Sequence, residues 1–270
     1  MNDLVDPVAR CPRSLVIERP RPLPNKDECW FYHYIDLPGG ETLTGAWDIR
    51  GRFEQYIGGY PTAGKTVLDI GTAGGFLAFS AEQAGATVTA LDCRHAIEFD
   101  RIPFRGALHH IERRDWMPFG QDHLTRMQNG FWYAWHKLGS RVQVSYTPLV
   151  ELGFVDDRFD VVMAGATVEH LADPVSAIGR MARVAKEAVI VAFTDVGNTE
   201  ELTMQPMNPW LNPEWDHSWW VLSRGLYKRV FENLGFEVVF VPSSACRPVT
   251  DGWEEVARHT IIARRVQEPS

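Results

Sequence analysis

The chain has 270 residues, 45% of them hydrophobic and 23% charged, and its formal net charge is −8 at pH 7. This length allows one large α/β domain with a buried core, and the acidic balance argues against an extended nucleic-acid interface, which must neutralise many phosphates. Four scattered cysteines without a C-x-x-C pair argue against a zinc site or a disulfide framework. The sequence contains no stretch of the ~20 apolar residues that span a membrane and no secretory signal, so we expect a soluble, cytoplasmic protein.

The first sixty residues divide into two segments. Residues 1–29 contain five prolines and little periodicity, which predicts an irregular arm that lies on the domain or is partly disordered. In residues 30–60, two short β-like pieces flank Pro38-Gly39-Gly40, and a helix is predicted from Trp47 to about residue 57. We expect this lid segment to fold over a bound cofactor or to shape an acceptor pocket.

The remaining residues, 61–270, are organised around one β-α-β unit. It combines an apolar strand, a glycine-dense turn, an amphipathic helix and a second strand that ends on a carboxylate. These parts are residues 67–70, 71–75, 76–84 and 87–91, followed by Asp92. Glycines admit close approach of a ligand, and a carboxylate can accept both ribose hydroxyls, so the unit is typical of a nucleoside-containing cofactor site.

The spacing of the glycines decides between cofactors. The dinucleotide fingerprint G-x-G-x-x-G needs glycine at position 73 and glycine or alanine at 76, where this chain has Ala73 and Phe76. This disfavours an NAD-linked oxidoreductase. Instead, D-x-G-x-x-x-G at Asp69, Gly71 and Gly75 resembles motif I of the class I S-adenosylmethionine methyltransferases, although Ala73 stands where that family usually has glycine.

The resemblance implies a cofactor, S-adenosylmethionine, and a fold. The fold is an α/β, Rossmann-like, mostly parallel sheet of seven strands with an antiparallel last strand, flanked by helices. In the family, the first acid lies under the loop near the methionine end and the second holds the ribose. The cofactor-binding residues it implies are Asp69, Gly71, Thr72, Ala73, Gly75, Asp92 and Cys93.

Two insertions interrupt the predicted domain. The first, at about residues 94–123, is expected to be irregular and is followed by a helix at 124–138. Its adjacent histidines, His109 and His110, lack the spacing of paired metal ligands, so no metal is predicted. A third strand follows at residues 141–146, and Tyr146 or Thr147 takes the place of the acid that covers the adenine in the family.

The run F-D-x-V…E-H-L-x-D-P at residues 159–174 is the second diagnostic stretch. Asp173 followed by Pro174 predicts a helix start. His170 is a candidate general base near the transferred methyl group, or alternatively a buried histidine whose hydrogen bonds fix the loop.

The second insertion, residues 198–222, is rich in tryptophan. We predict that Trp215 and Trp219, together with Tyr32 of the lid, line an acceptor pocket, and that His217 is a second candidate base. Alternatively, the rings only anchor the loop to the core. The stretch Y-H-x-I-D-L-P-x-G…T-G-x-W-D at residues 32–48 also resembles a branch related to the bacterial wobble-uridine tRNA carboxymethyltransferases.

These patterns predict methyl transfer from S-adenosylmethionine to a small-molecule hydroxyl or amine, by a protein that is compatible with a homodimer. Three alternatives stay open. They are tRNA wobble modification, against which the acidic charge argues, an NAD-linked oxidoreductase, and a cofactor-binding protein without catalysis.

Overall fold

The structure is a computed structural model that describes residues 13–100, 108–194, 200–207 and 219–266, with the backbone alone described at 108–116. The helices are Phe53–Tyr56 (α1), Phe76–Gln83 (α2), Leu108–Leu138 (α3), Pro174–Val184 (α4) and Arg224–Asn233 (α5). The strands are Ile35–Asp36 (β1), Thr42–Leu43 (β2), Thr66–Ile70 (β3), Thr87–Leu91 (β4), Gln143–Ser145 (β5), Phe159–Gly165 (β6), Ala185–Phe193 (β7), Met204–Pro206 (β8), Trp220–Leu222 (β9), Phe236–Val249 (β10) and Gly252–Arg265 (β11).

Seven of the described strands form one sheet, in the order β10-β11-β7-β6-β3-β4-β5. The pairs from β5 to β7 are parallel, whereas β11 is antiparallel to both of its neighbours. The predicted Rossmann-like sheet with an antiparallel last strand is therefore confirmed. The strand order reverses between β3 and β6, and open α/β sheets bind ligands at such a switch point.

The sheet separates two apolar layers. Successive residues of a strand point to opposite faces, so that Val67 packs with α2, α3 and the lid, while Leu68 packs with α4 and α5. Both side chains are fully buried. The parallel strands are apolar runs because both of their faces are covered by helices.

Several predicted boundaries were wrong. Helix α3 begins at Leu108, well before residue 124, and includes Pro118, so much of the first insertion is helical. Apolar periodicity reports only a buried face, and Phe119 in this part of the helix is exposed, so the pattern carried no helix signal there. The helix predicted from Trp47 is a single turn, α1. The last two strands, which the apolar runs predict at residues 236–241 and 259–263, are much longer in the structure, because the β10–β11 hairpin extends past the end of β7.

Other expectations match the structure. The hairpin predicted around Pro38-Gly39-Gly40 is formed by β1 and β2. The side chain of Asp173 caps α4, accepting a hydrogen bond from Ser176 N. Among the described residues, no helix is both long and apolar enough to cross a membrane.

Candidate cofactor and acceptor site

A cavity of about 300 Å³ opens at the carboxyl ends of β3, β4, β5 and β6. Its volume lies at the lower end of the range for small-molecule pockets. Each strand contributes residues from the loop that follows it. The lining includes Gly71 after β3, Asp92 and Cys93 after β4, residues 148–150 after β5, and Thr167 after β6.

The glycine loop between β3 and α2 needs its glycines for different reasons. Gly71 has φ of 70°, and a Cβ on it would lie 2.5 Å from Thr167 Oγ1. Gly75 caps α2 with φ of 85°, and a Cβ there would lie 2.5 Å from the ring of Phe79. Ala73 also adopts a left-handed conformation, with φ of 48°, which costs a non-glycine residue about 1–2 kcal/mol. The alanine therefore follows the path of the loop with some strain.

Asp69 lies beneath this loop and is almost completely buried. Its Oδ2 accepts a hydrogen bond of 2.8 Å from Thr72 Oγ1. Among the described residues, no group donates a hydrogen bond of acceptable geometry to Oδ1. The pKa of Asp69 is raised from 3.8 to about 7, mainly by burial; the hydrogen bond from Thr72 lowers this pKa, and the nearby charge of Asp92 contributes to the rise. The carboxyl group is thus a buried polar group with acceptor capacity to spare.

Asp92 joins the glycine loop to the end of β4. Its Oδ2 accepts a 2.7 Å hydrogen bond from Ala73 N, and its Oδ1 accepts one of 2.7 Å from Cys93 N. Burial raises the pKa of Asp92 to about 6, although these two backbone donors lower it. Because each oxygen has a second lone pair and the residue lines the cavity, the carboxylate can still accept hydroxyl hydrogens.

The seven predicted cofactor residues therefore lie close together, in three groups. Gly71, Asp92 and Cys93 line the cavity. Thr72 and Asp69 are buried behind it. Ala73 and Gly75 shape the loop. These residues fit a nucleoside cofactor, because Gly71 lines the cavity without a side chain and the acidic residue Asp92 lines it at the end of β4.

The lid lies directly on the glycine loop. A Cβ on Gly74 would be 3.3 Å from His33 N and 3.4 Å from Tyr32 N. Tyr32, the predicted substrate residue of the lid, packs in a small apolar cluster that also contains Ala73 and Cys93. His33 is held neutral, since burial lowers its pKa to about 3. The lid thus covers one side of the glycine loop.

The loop after β6 carries His170 at the end of a 3-10 turn, half-buried, on the same sheet edge. Its neighbour Glu169 belongs to the same sequence motif, but the sequence predicted no function for it. Glu169 is 4% exposed, accepts hydrogen bonds from the backbone and hydroxyl of Thr194, and lies 3.6 Å from Arg258 Nη1. Burial raises the pKa of Glu169, and Arg258 counteracts this rise.

Arg258 connects this loop with the lid. Its Nη1 donates a 2.9 Å hydrogen bond to Thr194 Oγ1, and its guanidinium lies 5.3 Å from the centre of the Trp47 ring. The residue comes from β11, almost two hundred residues after the glycine loop, so no local sequence pattern indicated it. A nearly buried ion pair therefore joins the loop after β6 to β11, next to the lid.

Of the remaining predicted residues, Trp219 lies at the cavity edge. Its backbone N donates to Glu169 O at 2.8 Å, and its Nε1 donates to the carbonyl of the cavity-lining Asp100 at 3.0 Å. Trp215 and His217 lie outside the described residues. Tyr146 does not line the cavity, because two guanidinium groups cover its ring, and the lining after β5 begins at Pro148. No cluster of potential metal ligands occurs in the part of the chain that is described.

The sheet order, the glycine loop and the carboxylate at the end of β4 define a class I methyltransferase fold. A family described as "Methyltransferase domain" matches residues 49–241, which is more than half of the chain. The chain therefore belongs to this methyltransferase domain family, and S-adenosylmethionine, predicted from the glycine loop, is the family's cofactor. The resemblance to the wobble-uridine branch stays a prediction.

Two ubiquinone biosynthesis O-methyltransferases are similar to about half of this chain. The ubiquinone biosynthesis O-methyltransferase of Hahella chejuensis (strain KCTC 2396) is 31% identical over 136 residues, 49% of this chain and 44% of the relative. That of Pseudomonas entomophila (strain L48) is 29% identical over 137 residues, 50% of this chain and 45% of the relative. The chain thus spans less than half the length of these relatives. The crystal structure of the N-terminal domain of EvdMO1, obtained in the presence of SAH and D-fucose, matches with a TM-score of 0.50 and 14% identity, covering 88% of this chain and 91% of that chain.

Proposed function

We propose that this protein transfers a methyl group from S-adenosylmethionine to a hydroxyl or amine of a small molecule. The observation that carries the proposal is the cavity at the switch point of the sheet, where Asp92 and the glycine loop meet. When bound, S-adenosylmethionine supplies an electrophilic sulfonium methyl group. The protein has to align the acceptor with that group and exclude water.

Each part of the site has a role in this proposal. Asp92 accepts the ribose hydroxyls, and the loop around Gly71 admits the cofactor closely. The lid residue Tyr32 and the cavity-edge residue Trp219 cover the acceptor. For a hydroxyl acceptor, His170 is the candidate general base, with His217 as the alternative; an amine acceptor needs only alignment and desolvation.

The similarity to ubiquinone biosynthesis O-methyltransferases supports a small-molecule oxygen acceptor. The net charge of −8 also favours a small acceptor over a nucleic acid. The tryptophan rings near the cavity suit an acceptor with an aromatic, apolar or sugar-like face, because such faces stack on aromatic side chains.

The cofactor assignment is tested by titrating S-adenosylhomocysteine into the wild-type protein and into Asp92→Ala by calorimetry. We expect the variant to bind at least about tenfold more weakly, since it loses charge-assisted hydrogen bonds to the ribose. The matched control is Asp251→Ala, in the exposed turn between β10 and β11. Equal affinity of Asp92→Ala and the control would overturn the assignment.

The acceptor class is tested by transfer of a radiolabelled methyl group from S-adenosylmethionine to a panel of phenols, sugars and amines. Labelling of one compound class, abolished by Asp92→Ala, supports the proposal. Labelling of bulk tRNA, with a matching gel shift, would favour the wobble-uridine alternative instead. Cofactor binding without transfer to any acceptor would favour a non-catalytic role.

A further inference from the structure

The N-terminal arm contacts the back of the cofactor site. Residues 16–18 run along β5, an edge strand of the sheet, where Ile17 forms an antiparallel bridge with Ser145 and Glu18 N donates to Val144 O at 2.7 Å. Leu15 is buried in the core layer that contains Leu68 and Leu91. The arm is thus anchored by a buried side chain and by strand-like pairing.

Two polar routes lead from the arm to the turn after β4. In the first, Arg21 Nη1 donates to Gln128 Oε1 at 3.1 Å, and Gln128 Nε2 donates to the Cys93 carbonyl at 2.8 Å. Gln128 is 6% exposed, so its amide depends on these partners. In the second, Glu18 forms an ion pair with Arg94, the residue that follows Cys93.

A shared aromatic ring joins the two routes. The guanidinium groups of Arg21 and Arg94 lie 5.0 Å and 5.3 Å from the centre of the Tyr146 ring. This ring is buried and follows β5 directly. Asp92 N also donates to the Ser145 carbonyl at 3.2 Å, so the end of β4 is linked to the strand on which the arm lies.

From these contacts we infer that Arg21 and Glu18 are positioning residues for the cofactor: they hold the turn at Asp92 and Cys93 in the conformation that binds its nucleoside part. The inference rests on the proposed cofactor. Neither side chain lines the cavity, and each acts through Gln128 or Arg94. The effect should therefore fall on the nucleoside part of the cofactor.

The test compares Arg21→Gln with Arg19→Gln in the full chain. Arg19 is on the same arm and is exposed, so its substitution is the control for the same change in charge. Calorimetry gives the affinity for S-adenosylhomocysteine and for 5′-methylthioadenosine, which retains the nucleoside and lacks the amino-acid part. We expect Arg21→Gln to weaken both ligands by the same factor, about tenfold, because Gln128 loses the donor that fixes its amide.

Two further variants separate positioning from a general loss of stability. Arg21→Lys keeps a donor for Gln128 and should recover most of the affinity, while Glu18→Gln should weaken both ligands through Arg94. The unfolding midpoint of each ligand-free variant is measured in parallel. The inference would be refuted if the dissociation constants of Arg21→Gln for both ligands were within twofold of those of Arg19→Gln. It would also be refuted if the loss of binding matched the loss of folded protein. If wild-type protein fails to bind S-adenosylhomocysteine, the cofactor proposal itself fails, and the inference fails with it.

Discussion

Replacing Asp69 by asparagine should stabilise the protein at pH 8 and have a much smaller effect at pH 5. In the native protein the carboxyl group is buried, and its pKa is raised from 3.8 to about 7. A raised pKa means that the folded state binds the proton more tightly than the unfolded chain. The stabilising contribution of the protonated group is therefore complete below pH 3.8 and is lost as the pH rises towards 7.

The size of this loss follows from the pKa. At 1.36 kcal/mol per pH unit, a rise from 3.8 to about 7 corresponds to a cost on the order of 4 kcal/mol above pH 7. Asparagine is neutral at every pH and can still bond to Thr72, which now donates a 2.8 Å hydrogen bond to the carboxylate. The free energy of unfolding of Asp69→Asn, relative to the wild-type protein, should increase by up to roughly 1.4 kcal/mol per pH unit from about pH 4 to pH 7. Above pH 7 this difference should be constant.

Urea unfolding at pH 5, 6, 7 and 8 measures this difference. The control is Asp160→Asn on β6, because the pKa of Asp160 is lowered to about 2, chiefly by the hydrogen bond from the backbone N–H of Thr66. Its stabilising effect is complete above pH 3.8, so the control should lose a constant amount, roughly 2 kcal/mol by the same conversion, over the same pH range. A pH-independent effect of Asp69→Asn, or a loss of stability at pH 8, would refute the reasoning.

Three other substitutions test the site. Gly75→Ala should lower the free energy of unfolding in urea by about 2 kcal/mol or more, because φ is 85° and the new Cβ meets two phenylalanine rings; Gly139→Ala, with φ of 63° and open space, should cost less. Arg258→Met should cost about 3 kcal/mol by leaving Glu169 buried and unpaired, and adding Glu169→Gln should recover part of it; additive losses in the double variant would contradict the pairing. Once an acceptor is known, His170→Ala should lower kcat without changing the affinity for S-adenosylhomocysteine, and an unchanged kcat would remove it as the base.

The sheet was predictable from the sequence because its parallel strands are buried on both faces. Each parallel strand is a short apolar run. The glycine loop and Asp92 mark where β3 and β4 end, and these two strands are paired in parallel. The class of the protein follows from the same unit, since close backbone approach and a terminal carboxylate are local features. Even the strained Ala73 could be located, because the motif specifies which positions need positive φ.

The start of α3 and the length of the β10–β11 hairpin were not predictable in the same way. The first turns of α3 carry charged residues, histidine and Pro118 without an apolar stripe, so their helical state has no periodic signal. The hairpin extends beyond β7, where it pairs with the lid through Asp48 and Cys246 instead of with the sheet. Such pairing depends on a segment almost two hundred residues away.

The two ends of the site therefore differ in how the sequence encodes them. The donor end is built from the backbone of one continuous stretch, so a motif of fixed spacing reveals it. The proposed acceptor end includes Glu169, Thr194, Arg258 and Trp47, which come from four separate segments and meet only in the folded protein. None of these four residues belongs to the glycine loop or to the end of β4. We therefore expect substitutions in the lid, the loop after β6 and β11 to change acceptor preference more than they change cofactor affinity.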